Sequence, residues 1–224
     1  SRILASTTLL LLMAGASVTS NQAGLSVPDW PLSYGQWMPP MKGGVFYEHG
    51  HRMIAAAVGL LTLILATGLS FSNESRQLKH LGWGAVGLVI VQGLLGGLTV
   101  LMRLPAAVSI AHACTAQTFF TLVAVLSLLL SPGWKQGPEP VIDEGTPSLR
   151  ALAWWVTLSV LVQIALGAGY RHQAWGLVPH VVGALVVAGL ALLLAAFVLQ
   201  QFPTHRRLRP WASRLITVTL IQAF

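Results

Sequence analysis

The sequence predicts an all-α protein: a polytopic transmembrane helix bundle of two pseudo-repeated four-helix halves, the second truncated. Three observations point there. Of 224 residues, 54% are hydrophobic and only 8% charged, whereas a soluble domain carries about a quarter charged residues. The apolar residues form continuous runs of about 20, the length that crosses a bilayer as a helix, without the alternation of a barrel strand. A short glutamine-centred element also recurs along the chain.

Taken in order, the apolar runs place helices at 3–20, 53–71, 81–101, 108–130, 152–169 and 178–200, with a seventh opening near Trp211. Arg2 followed by Leu9 to Ala16 has the look of a signal peptide, but the same pattern recurs deeper in the chain, so it is read as a first span. A long Pro-, Gly- and Trp-rich loop occupies 21–50. The halves are expected at 1–131 and, incomplete, at 151–224, joined by a cytoplasmic linker at 132–150. The start at Ser1 and the stop inside an apolar run at Phe224 lead us to expect a truncated chain.

Charge sets the orientation. With the N-terminus in the cytoplasm, that side receives Arg2, Arg76, Lys79, Lys135, Arg150, Arg206, Arg207, Arg209 and Arg214. The other receives only Lys42, Arg52, Arg103 and Arg171. This is the positive-inside bias, and it accounts for the net charge of +7 without nucleic acid. The Trp-rich loop is then outside. Cys114, the single cysteine, excludes an intrachain disulfide and reads as a small core residue.

The repeat aligns Val91-Gln92-Gly93-Leu94-Leu95-Gly96-Gly97 with Val162-Gln163-Ile164-Ala165-Leu166-Gly167-Ala168, and Gln222-Ala223 opens a third instance. Gly15-Ala16 ends the first run as Gly167-Ala168 ends the fifth. Small residues here allow helices to approach closely.

Ionisable side chains inside a membrane are costly, so each is a candidate for function. The densest cluster is Glu48-His49-Gly50-His51-Arg52, where the outer loop enters the second helix. Helical spacing puts Glu48, His51 and Arg52 together and points His49 elsewhere. His112 and His180 occupy the matching outer turns of the fourth and sixth helices. Neutral imidazole is a strong haem-iron ligand, and facing helices supply two axial ligands. His51 with His112 is the natural pair, whereas His180 needs a partner from an eighth helix. A single such histidine could equally tie two helices together. His80 and His205 read as surface groups at cytoplasmic ends, and His172 as an outer-loop residue. His49 and His51, at alternate positions and without thiolates, do not form a copper or zinc site. The loop, with Trp30, Tyr34 and Trp37, is either an interfacial anchor or a lid over an apolar, ring-shaped ligand.

At these residues the sequence resembles the haem A synthase family: Gly24-Leu25-Ser26-Val27-Pro28-Asp29-Trp30-Pro31-Leu32-Ser33-Tyr34-Gly35, Glu48-x-x-His51-Arg52, His112, and the Gln92 and Gln163 repeat. The resemblance implies eight helices in two bundles and a membrane oxidoreductase in the bacterial inner membrane. Haem O would lie between His51 and His112, its ring methyl oxidised to the formyl of haem A for terminal oxidase biogenesis. Haem b would be the electron-transfer cofactor, with His180 one iron ligand. Glu48 would serve catalysis by proton transfer or water positioning. Arg52 would pair either a haem propionate or Glu48. Haem O synthase or a terminal oxidase complex would be partners. The cysteine pair that many members carry in this loop is missing here. Two other readings use the same residues: a non-catalytic haem-carrying electron-transfer or assembly subunit, and a small-molecule transporter, which the placement of the histidines near helix ends disfavours.

Overall fold

The computed structural model describes residues 1–137 and 141–223. Its regular elements are helices: α1 (Arg2–Ser20), α2 (Gly44–Ser70), α3 (Arg76–Leu101), α4 (Ala106–Leu129), short α5 (Pro132–Lys135), α6 (Leu149–Arg171), α7 (Leu177–Gln201) and α8 (Leu208–Ala223). Six of them, α1 to α4, α6 and α7, are long and apolar enough to cross a membrane. The chain is an integral membrane protein. Its exposed side chains include Leu60, Ile64, Ile90, Leu185 and Val186, a surface suited to lipid rather than water.

Helix boundaries follow the expected runs closely except at the starts of α3, five residues earlier than expected, and α2. That helix starts at Gly44, not 53, so the whole Glu48–Arg52 motif is helical. Apolar runs miss this turn because its polar side chains interrupt them. They are tolerated because they pair with one another and with the loop, as shown below. The seventh element is helical over Leu208–Ala223, 16 residues, shorter than the six spans.

The chain divides into two compact units, Ser1–Pro138 and Glu139–Phe224. In the first, each helix packs on the next and α1 closes against α4, giving a ring in which α2 and α4 lie on the diagonal. In the second, α7 packs against both α6 and α8.

Local sequence fixes the helix ends. Ser75 and Ser148 accept hydrogen bonds from the backbone of Leu78 and Ala151, capping α3 and α6. At α8 the ring of His205 takes this role, with Nδ1 accepting from the backbone N–H groups of Arg207 and Leu208 at 3.2 Å. The other ends of α1, α3 and α6 close alike. Gln22, Arg103 and Gln173 take positive φ. The following N–H then reaches back to Val18, Thr99 or Gly169 at 2.9, 2.6 and 2.8 Å, the Schellman closure that satisfies terminal carbonyls. Within the spans Thr8 and Thr62 donate to Leu4 and Val58 carbonyls at 2.7 Å, so these two buried hydroxyls have partners within their own helices.

Packing is uneven along the first unit. Its apolar core joins Leu4, Val58, Ala85, Phe119, Val123 and Leu126, all toward the end of the bundle away from the long loop. Lys135 pairs with Glu74 at that far end. At the loop end the buried side chains are small or polar instead: Ala23, Val27, Ser33, Glu48, His49, Val100 and Ser109. The second unit repeats the imbalance, its core of Ala195, Val198 and Ala212 lying where α7 ends and α8 begins. Phe119, 3% exposed, anchors the larger core. Phe119→Ala should cost about 3–5 kcal/mol, read as an early thermal transition in detergent, whereas Phe71→Ala, fully outside the core, should leave it in place.

Candidate haem-binding site

Three histidines share one arrangement: each ring comes with its Cε1 foremost against a glycine of the preceding long helix. A Cβ on Gly15 of α1 would stand 3.1 Å from Cε1 of His51. One on Gly96 of α3 would stand 3.3 Å from Cε1 of His112, and one on Gly167 of α6 would stand 3.0 Å from Cε1 of His180. Real Cβ contacts rarely come so close, so these positions take no larger residue without moving the ring. The glycines were read from sequence as points of close helix approach. What approaches is an imidazole.

In the first unit the rings of His51 and His112, from diagonal helices, are near enough for a charge on one to be felt by the other. His51 also meets the backbone carbonyl of Leu11, one turn before Gly15, and its Nδ1 is buried without a hydrogen-bond partner. Both rings are half-buried. In the second unit His180 is held through Nδ1 by Gln163 Nε2 at 2.9 Å and stacks nearly parallel to Tyr170, ring centres 6.1 Å apart.

The rest of the Glu48–Arg52 motif faces the loop. Arg52 is the hub: Nη1 donates to the carbonyls of Asp29 and Leu32 at 2.8 and 2.9 Å, and Nη2 meets Glu48 Oε1 at 2.6 Å. Glu48 Oε2 accepts from Val27 N–H at 2.9 Å. His49 Nδ1 lies 2.8 Å from Ser33 Oγ. The expected grouping of Glu48, His51 and Arg52 is therefore corrected. At about 100° per residue, Glu48, His49 and Arg52 share one arc, while His51 falls on its flank and turns to α1. Of the two partners weighed for Arg52, the structure shows Glu48.

The loop itself is built rather than loose. Asp29 Oδ1 and Oδ2 accept from the backbone of Tyr34 and Gly35 at 2.7 and 2.8 Å, and Tyr34 Oη donates to Ser26 O at 2.5 Å. The Trp30 ring lies against Gly97, where a Cβ would come within 2.7 Å. Gly44 is required by Ser26, whose Oγ would stand 1.9 Å from a Cβ. In the second unit Trp175 covers Gly169 in the same way, with Nε1 donating to Leu166 O at 2.9 Å.

Other candidates lie apart. His80 is exposed on α3 and His205 caps α8. His172 ends α6, where burial, then the Arg171 charge, lowers its pKa. Cys114 is a half-buried free thiol. Sequence reasoning missed Ser33 as the partner of His49 and the seating role of the glycines. Their one visible signal was the glycine a turn beyond each repeated glutamine.

Helices long and apolar enough to span a membrane, a buried ion pair pinning an aromatic loop, and imidazoles seated at helix contacts define a polytopic membrane protein. Residues 2–179 match the family described as cytochrome oxidase assembly protein, and the chain belongs to that family. It is 31% identical over 169 residues to Heme A synthase of Symbiobacterium thermophilum, covering 73% of this chain and 55% of that protein. It is 32% identical over 181 residues to Heme A synthase of Shewanella oneidensis, covering 71% and 52%, and 25% identical over 229 residues to that of Mesorhizobium japonicum, covering 84% and 61%. The chain thus spans about half the length of the curated relatives it matches. No solved structure matches it.

Two outcomes follow from the loop. Arg52→Ala leaves Glu48, 4% exposed, as a buried charge without its partner, which should cost about 3–5 kcal/mol and open residues 24–42 to protease in membranes. Asp29's carboxyl is held below its ordinary range, first by the N–H of Gly35. Its contribution is complete above the ordinary carboxylate pKa and fades as pH falls through the lowered value. Loop protection from protease should therefore persist at neutral pH and weaken only in strong acid, and Asp29→Asn should abolish that pH dependence.

Proposed function

We propose that this chain carries the haem sites of a haem A synthase, oxidising a ring methyl of haem O to the formyl group of haem A. The observation that carries the proposal is the pair of imidazoles, His51 and His112, brought toward each other from diagonal helices at the end of the unit where the apolar core is lacking. Neutral histidines are the common axial ligands of a planar macrocycle such as haem. The buried, unpartnered Nδ1 of His51 and the three glycine seats support the fit.

In this reading haem O is substrate between His51 and His112, and haem b is the resident cofactor, with His180 one ligand. Haem b would supply electron transfer when bound. The chain's own residues bind and orient: Gly15 and Gly96 seat the two rings, and the loop from Gly24 to Met41 covers the site from water. Glu48, one turn before His51, is the proposed carboxylate for proton or water handling at the reacting edge. Arg52 would hold it through the 2.6 Å pair. The loop end would face outward from a bacterial inner membrane, and haem O synthase and a terminal oxidase are proposed partners. The like closures of α1, α3 and α6 support reading the two units as variants of one helix-pair design.

The test is conversion. Purified protein in detergent, given haem O, oxygen and a reductant, should yield hydroxymethyl and formyl haems by mass spectrometry. His51→Ala and His112→Ala should lose the substrate haem's optical bands. Glu48→Gln keeps an acceptor for Val27 but not the charge, and should slow conversion roughly 100-fold with haem still bound. Haem binding without any oxidised product would leave an electron-transfer or assembly subunit, and no haem bands at all would sink both.

A further inference from the structure

The amide of Gln163 crosses from α6 to α7 and makes two contacts with one residue. Its Nε2 lies 2.9 Å from Nδ1 of His180 and 3.0 Å from the carbonyl oxygen of the same residue. A carbonyl only accepts, so it dictates that the amide nitrogen, not the oxygen, faces α7. Each amide hydrogen then has one acceptor, and Nδ1 receives a hydrogen bond. A neutral imidazole with an accepting Nδ1 carries its proton on Nε2. The other amide atom, Oε1, is buried without a hydrogen-bond partner. It occupies space that exists because residue 183 is glycine, where a Cβ would stand 2.2 Å away.

A glutamine between membrane helices is commonly a simple interhelical tie. A tie to the carbonyl alone would suffice for that. The contact with the ring nitrogen adds control of its chemistry, because the partner of one imidazole nitrogen decides which nitrogen can bind metal.

We propose that Gln163 is a positioning residue for His180, holding the ring by Nδ1 so that Nε2 alone faces a metal, its amide orientation selecting the tautomer. This rests on the reading of His180 as a haem ligand. As the amide stands, Nε2 holds the proton and the ring does not bind iron. Turned by half a rotation, Oε1 accepts from Nδ1–H and Nε2 offers its lone pair. The ring proton shifts from Nε2 to Nδ1, with no net gain or loss and no change of oxidation state. The turn also takes the amide nitrogen off the His180 carbonyl, from which Oε1 must draw back beyond the 3.0 Å now seen, while that carbonyl keeps its helical acceptor role within α7. Gln92 holds the same register on α3, one turn before Gly96, and its Oε1 is likewise buried without a partner.

The test has two arms. In ¹⁵N NMR of histidine-labelled, haem-free chain, the His180 signals, assigned by their loss in His180→Ala, should show an unprotonated Nδ1 and a protonated Nε2. Gln163→Leu should mix the tautomers. In redox titration of chain loaded with haem b, Gln163→Leu should raise the midpoint potential of the haem whose bands His180→Ala removes. Gln163→Glu should lower it, since a carboxylate draws harder on Nδ1–H. Unchanged ¹⁵N shifts in Gln163→Leu, or potentials unmoved by both substitutions, overturn the proposal. Haem spectra surviving intact in His180→Ala would instead show that ligation by His180 had failed, and the metal-positioning role would fall with it, while the NMR arm would still report the tautomer.

Discussion

An imidazole can come as close to a neighbouring helix as these do only where that helix lacks a Cβ. Gly15, Gly96 and Gly167 supply that absence at the three places where His51, His112 and His180 cross to the preceding long helix. Almost everything else at the loop end depends on it. A side chain in place of any of these glycines would push the facing ring aside. The packed apolar core lies at the other end of each unit.

At this end the first unit sets a loop whose shape comes from a few polar contacts. A guanidinium with a planar fork of donors suits the task, because Arg52 reaches two carbonyls and a carboxylate at once. Burial makes the Glu48 pair costly to break, and Trp30 on Gly97 adds apolar contact. The geometry makes lid and helix one structure, which favours a cover for a ligand over a mere interfacial anchor.

The fold was legible because hydropathy in a membrane chain is a strong signal: the helices at 3–20 and 178–200 were found nearly to the residue. The first turns of α2 were not, because Glu48, His49 and Arg52 break the apolar run, and only the loop's carbonyls and Ser33 explain their tolerance. The candidate residues were legible, though their surroundings were not. His51, His112 and His180 stood out as ionisable groups in apolar helices, but their seats did not. Glycine in a span reads as close packing whatever packs against it. The split of the motif between His51 and its neighbours turned on where a helical arc meets a loop 20 residues away in sequence, which periodicity alone does not encode. Tautomer control by Gln163 needs atomic distances.

The central claim is that two imidazoles from diagonal helices clamp one iron. Crystals of the haem-loaded protein measured at the iron absorption edge test it most directly. The account predicts an anomalous peak between His51 and His112, bonded to a nitrogen of each ring. A peak bonded to neither ring, with both still resting on Gly15 and Gly96, would contradict it.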